Sequence, residues 1–236
     1  MKRLIASASM CVAILGAGIA AQANAAVVNH LPTSEKVIAI TFDACEAGKP
    51  AVLDEKIVGV LKQEGIPFTV FLGGRFVRDN AAAVEELAKT ANVEFENHSW
   101  SHPKDMRELD DADVQYQVTR AAQEIEKVTG RKPKYFRFPG GNDDDRTISL
   151  VEGLGYRVVH WDKPSADPDP KISVEKLSSY MLSMAHPGAI LVFHINGRGV
   201  ETATALPGII AKLKEKGYSF VKVDDVLGKQ HAAGQP

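Results

Sequence analysis

The stretch Lys36-Val37-Ile38-Ala39-Ile40-Thr41-Phe42-Asp43 decides the fold reading. It is an apolar, β-branched run with a carboxylate directly after it, which reads as a strand that delivers Asp43 at its end. Similar runs recur, and strands are expected at Lys36–Phe42, Phe68–Leu72, Val93–Glu96, Tyr135–Phe138, Arg157–Trp161, Ala189–His194 and Ser219–Val221. Amphipathic helical patterns lie between them, near Pro50–Glu64, Ala81–Thr90, Ala112–Thr129, Asp144–Gly153, Val174–Ala185 and Ala203–Lys216. Gly65, Gly130 and Gly217 follow helices, where a left-handed residue is expected. Strands alternating with helices imply parallel strands joined by crossovers. No GxGxxG or Walker sequence follows the first strand, which argues against an open nucleotide-binding sheet. The expectation is an α/β fold: a distorted, incomplete (β/α) barrel of about seven parallel strands, with its chemistry at the C-terminal strand ends.

The 236 residues suit a single domain, and 44% apolar with 25% charged residues is ordinary for a packed globular chain. A net charge of −2 gives no electrostatic footprint for nucleic acid or an anionic membrane surface. The first residues read as a cleavable export signal over 1–25. Lys2 and Arg3 precede an apolar span, and Ala21-Gln22-Ala23 and Ala23-Asn24-Ala25 offer small-x-small cleavage sites. That span is at the lower limit for crossing a bilayer, so no stable membrane insertion is expected after cleavage. Removing Lys2 and Arg3 would take the net charge from −2 to −4. Cys45 would remain as the one cysteine of the mature domain 26–236, with no intramolecular disulfide. The expected location is periplasmic or secreted.

Five strand–helix junctions bring His, Asp or Arg to one rim. Asp43 follows the first strand. It reads as a functional carboxylate or as a helix N-cap, although Pro50 places the next helix later. His98 and His102 follow Val93–Glu96. Spaced by four, they suit a divalent metal if they share one side of a helical turn, and two exposed histidines are the plainer alternative. Arg137 lies on an apolar strand and needs a partner, with Asp43 the natural one. His194 ends the run Ala189-Ile190-Leu191-Val192-Phe193, either as a proton donor or as a satisfied core histidine. Trp161 is either core or an apolar wall for a sugar or acetyl group. Asp144 or Asp145 caps the helix before Ile148. His30, His160, His186 and His231 lack a comparable context.

Across Lys36 to Leu227, these residues resemble the polysaccharide deacetylases with a NodB homology domain, also called carbohydrate esterase family 4. Five stretches follow in family order: Thr41-Phe42-Asp43, His98-Ser99-Trp100-Ser101-His102, Arg137-Phe138-Pro139-Gly140, a loose fourth from Trp161 to Asp167, and Val192-Phe193-His194. The resemblance implies metal-dependent hydrolysis of N-acetyl groups on amino sugars, or of O-acetyl groups on some glycans. By that resemblance Asp43 is the catalytic base, Arg137 orients it, and His98 and His102 are metal ligands. Asp167 tunes the catalytic acid His194, and Phe138, Pro139 and Trp161 contact substrate. The implied metal is zinc, with cobalt or nickel as alternatives. One departure stands out: the family's second Asp, its third metal ligand, is Ala44 here. Asp43 could move onto the metal, Cys45 could supply a thiolate, or water could fill the shell. In the fourth motif Pro164 and Pro168 replace the usual Asp and Trp.

The leading expectation is an exported de-N-acetylase acting on an N-acetylated polysaccharide or oligosaccharide, such as peptidoglycan or a chitin-type oligomer. Two others stand beside it: a catalytically impaired glycan-binding protein, and a hydrolase of another non-peptide C–N bond.

Overall fold

The structure, a computed structural model, describes residues 27–46 and 51–232. The expected leader lies outside the described residues, as does the Pro50 start expected for the first helix. Among the described residues, seven parallel strands form one sheet: β1 (Val37–Ala44), β2 (Phe68–Leu72), β3 (Val93–Asn97), β4 (Tyr135–Phe136), β5 (Arg157–Val158), β6 (Ala189–His194) and β7 (Ser219–Phe220). Their order is β5-β4-β3-β2-β1-β6, with β7 beside Val37 and Ile38 before β2 joins β1 at Thr41. The sheet curls into an open barrel. The segment around Val28 and Leu31 spans the gap between its edges. Val28 N donates to Val158 O at 3.0 Å, and Leu31 N donates to Gly188 O at 2.7 Å beside the start of β6.

Among the described residues, eight α-helices pack around the sheet: α1 (Glu55–Glu64), α2 (Gly74–Asp79), α3 (Ala81–Ala88), α4 (Asp111–Thr129), α5 (Asp145–Gly153), α6 (Val174–Ser183), α7 (Thr202–Glu215) and α8 (Val223–Ala232). Every residue of β1 is buried, as a strand covered on both faces requires. Ile38, Ile40, Phe42 and Ala44 face outward into the apolar layer under the helices, and Ala39 faces the apolar part of the interior. Each large side chain in that outer layer contributes roughly 1.5–3 kcal/mol by leaving water. Capping follows the sequence. Asp144 makes a reciprocal box with Thr147, and Gly65 and Gly130 close α1 and α4 with φ of 64° and 68°. Gly217, after α7, has φ of 82°.

Some boundaries differ from expectation. α1 starts at Glu55 because the Asp54 side chain caps it, accepting from Lys56 N and Ile57 N. The strands at Tyr135 and Arg157 stop after two residues, where the chain turns to bring Arg137 and His160 to the rim. α2 and α8 were not expected. The first is six residues long and opens on glycine. The second is short, with Val223, Val226 and Leu227 as its apolar stripe near the end of the chain. Among the described residues, no helix is long and apolar enough to cross a membrane.

Candidate active site

Asp43 lies inside β1, so it caps no helix. It faces the barrel interior, and its register partner on the neighbouring strand is His194. The Asp43 carboxylate receives Arg137 Nη1 at 2.8 Å. Arg137 is fully buried, and each of its three guanidinium nitrogens donates a hydrogen bond. Nη1 also reaches Thr41 Oγ1 at 3.0 Å, Nε reaches Val159 O at 3.2 Å, and Nη2 reaches His160 O at 3.0 Å. Its guanidinium lies 3.7 Å from the centre of the Phe71 ring, a cation–π contact. The fork is held from five sides, so the Asp43 oxygen it touches has one available geometry. Burial pushes the Asp43 carboxyl up, but the charges of His98, Arg137 and His194 outweigh burial and hold it at about 2. Asp43 is therefore a carboxylate at neutral pH.

His98 leaves the end of β3 with 1% exposure. Its Nδ1 lies 2.8 Å from Arg137 O, and a carbonyl only accepts, so Nδ1 carries the proton in the neutral ring. Nε2 then offers a lone pair, 3.7 Å from Asp43 Oδ2 and beyond hydrogen-bond reach. His98 and His102 face each other, with ring centres 5.0 Å apart. The pairing does not come from a helical turn. Ser99 and His102 have φ of 68° and 51°, so a left-handed loop folds the second imidazole back onto the first. Asn97 Oδ1 accepts from Ser99 N, Ser99 Oγ accepts from His102 N, and Gln117 Oε1 accepts from Ser101 N. Gly74 lies so close under the Trp100 ring that a side chain there would collide. These contacts hold the backbone strain in place. Burial lowers both histidines, and His98 lowers His102 further, to about 3. Neutral imidazoles are the form that binds metal. Two buried neutral histidines converging beside a carboxylate fit a divalent ion.

His194 ends β6, with its side chain 17% exposed. Its Nδ1 lies 2.8 Å from Asp167 Oδ1. Asp167 is fully buried and takes three more donors: Ser165 Oγ at 2.6 Å, Thr202 Oγ1 at 2.8 Å and His194 N at 2.8 Å. The Asp167–His194 pair is thus fixed by its surroundings, leaving Nε2 of His194 as the other ring nitrogen. Trp161 is half-buried, with Arg137 5.3 Å from its ring centre. Of the residues expected to contact substrate, Phe138 has its side chain fully buried against Phe136, and Pro139 is buried as well.

The sequence reading missed Thr41, Ser165, Thr202 and Asn196, which brace Arg137, Asp167 and Cys45. Thr41 lies two residues before Asp43, and strand alternation would have placed it on the same face. It also passed over His160, whose Nε2 meets Asp143 Oδ2 at 2.5 Å across two loops of the rim. No spacing in the sequence signals that pair.

A family model for polysaccharide deacetylase matches residues 30–159. The chain belongs to the polysaccharide deacetylase family. That places it among hydrolases acting on non-peptide carbon–nitrogen bonds. The chain is 31% identical to the peptidoglycan-N-acetylmuramic acid deacetylase PdaA of Bacillus subtilis, over 92% of this chain and 93% of that one. It is 29% identical to a peptidoglycan-N-acetylglucosamine deacetylase of Bacillus cereus, over 86% of this chain and 93% of the relative. A solved family 4 pseudoenzyme from Bacillus anthracis is 25% identical with a TM-score of 0.76, covering 86% of this chain and 69% of that one. The deacetylase family's curled half-barrel is the architecture found here.

Proposed function

We propose that this chain is an exported, metal-dependent deacetylase that removes N-acetyl groups from amino sugars of a polysaccharide, peptidoglycan or a chitin-type oligomer. The observation that carries the reading is the register pairing of Asp43 with His194, with the two imidazoles of His98 and His102 beside them. A base and a proton donor thus flank one metal-binding position. The peptidoglycan deacetylases among the relatives suggest the substrate class. The Lys2-Arg3 start, apolar span and Ala-x-Ala sites support export to the periplasm or beyond.

A divalent metal held by His98 and His102 would polarise the acetyl carbonyl and acidify a water. Asp43 takes the proton of the attacking water, and Arg137 holds the carboxylate in the orientation for it. The water oxygen bonds to the carbonyl carbon, and the C–N bond then breaks. His194 gives its proton to the departing nitrogen, and Asp167 fixes the ring at Nδ1 so that Nε2 makes the transfer. Acetate and a free amino sugar are the products. Trp161, at the rim, offers an apolar face to the sugar or the acetyl methyl.

Incubating the mature domain with zinc, cobalt or nickel and polymers of N-acetylglucosamine and N-acetylmuramic acid should release acetate. Absence of acetate from every such polymer, with the domain folded and metal bound, would overturn the proposal. A second reading, a glycan-binding protein without turnover, is favoured by Ala44 and by the resemblance to the pseudoenzyme. It predicts saccharide binding that persists in His98→Ala and after chelation.

A further inference from the structure

Ala44 leaves the metal position one ligand short by the family's pattern. Alanine cannot coordinate a metal, and the geometry of β1 and the residue after it brings a different side chain to the two histidines. Side chains of a strand alternate between its faces. Asp43 faces the interior, whereas Ala44 packs into the outer apolar layer with Phe42 and Leu72. Cys45, the next residue, returns to the interior side. Its Sγ and a ring nitrogen from each of His98 and His102 all lie within 4.8 Å of one another.

We propose that Cys45 is the third protein ligand of the metal held by His98 and His102, making a Cys-His-His site in place of an Asp-His-His one. This rests on the reading of the two histidines as ligands. It has independent observations behind it. His98 is 1% exposed, its Nδ1 is committed to Arg137 O, and among the described residues no hydrogen bond is made to its Nε2. A ring nitrogen lone pair and a carboxylate oxygen only 3.7 Å apart suit a positive charge beside both. Cys45 is 1% exposed and is held in place by Asn196, whose Nδ2 donates to Cys45 O at 2.5 Å and lies 3.6 Å from Sγ. An N–H aimed at the sulfur and a ring N–H committed to a carbonyl are the outer contacts that metal-bound thiolates and imidazoles use.

The ligand set also names the metal class. One thiolate and two imidazoles suit a borderline-soft divalent ion such as zinc, not magnesium, calcium or manganese. Three protein ligands leave a fourth position for water or substrate. On binding, the sulfur–hydrogen bond breaks, a sulfur–metal bond forms, and the proton leaves to solvent.

The test uses the mature domain loaded with one equivalent of cobalt(II) and read by absorption. Thiolate ligation gives a sulfur-to-cobalt charge-transfer band in the near ultraviolet, and a site built of nitrogen and oxygen alone does not. The wild type is expected to show the band and to retain one ion per chain after desalting. Cys45→Ser should lose the band and bind the ion at least about tenfold more weakly. Cys45→Asp should retain the ion and lose the band. The wild-type spectrum needs no variant to fold. A cobalt-loaded wild type without the band, or a Cys45→Ser protein with wild-type affinity, would overturn the proposal, as would a wild type that binds no ion. Acetate assays on the same samples separate the two ideas. A thiolate band without acetate release leaves Cys45 as a ligand and removes the hydrolase reading. Acetate release without the band does the reverse.

Discussion

Two buried polar clusters share the barrel interior and are wired in opposite ways. At the rim, Asp43 meets Arg137, and Asp167 meets His194. Under α8, Glu94 and Glu96 on β3 are two buried carboxyl groups side by side. Glu96 accepts from Lys134 N and Tyr135 N at 2.7 and 2.6 Å, and Glu94 accepts from Thr69 Oγ1 and from Asp224 N at the start of α8. Burial raises Glu94 to about 7, and burial together with the Glu94 charge raises Glu96 well above its ordinary value. The lower pair therefore shares a proton and titrates as a unit. Among the described residues no hydrogen bond is made to His98 Nε2, whereas both oxygens of Glu94 and one of Glu96 accept from backbone and hydroxyl groups. One cluster is built to receive something, and the other is closed.

The difference has opposite signs in pH. The depressed Asp43 contributes stability that is present above its unfolded value of 3.8 and lost as pH falls through about 2. The raised Glu94 does the reverse: the unfolded chain holds fewer protons, so stability declines as pH climbs from 4.5 through about 7.

The largest expected effect is on chemistry at the rim. His194→Ala should lower the rate of acetate release roughly 10²–10⁴-fold, the usual contribution of a positioned proton donor, while thermal stability changes little. Next is Arg137→Ala, which leaves Asp43 buried without its partner. Denaturant unfolding should show a loss of about 3–5 kcal/mol. Near-wild-type stability in that variant would mean the rim is wetter than its burial indicates. In the closed cluster, Glu96→Gln can still accept the two backbone N–H groups while donating to Glu94. Melting measured from pH 4 to 9 should lose most of its decline above 4.5, with a gain of roughly 1–3 kcal/mol at pH 8. An unchanged profile would show that the two carboxyls do not interact. The smallest effect belongs to neither cluster. Asp144→Ala removes the capping box of α5 and should cost about 1 kcal/mol without altering acetate release.

The strand order and the rim were legible because strand periodicity and strand-end chemistry are local signals. Asp43, Arg137 and His194 each directly follow or end an apolar run, His98 follows a strand, and the structure gathers them. The source of the His98–His102 pairing was not legible. A spacing of four suggests a helical turn, whereas Asn97, Ser99 and Gln117 impose left-handed dihedrals through contacts that no spacing announces. Phe138 shows a second limit. An aromatic beside a rim arginine looks available to ligand, but its side chain turns into the apolar layer with Phe136. The glutamate pair on β3 could be read only as strand residues, because its partner α8 lies more than a hundred residues later.

The proposed division of labour at the rim, with histidines holding the ion and Asp43 moving the proton, has one direct test. Asp43→Asn keeps the shape and an acceptor for Arg137 and removes the base. Bound zinc and acetate release should be measured on the same preparation. The account predicts an unchanged metal content with acetate release reduced at least about 10²-fold. Acetate release at the wild-type rate, or loss of the ion together with the carboxylate, would contradict it.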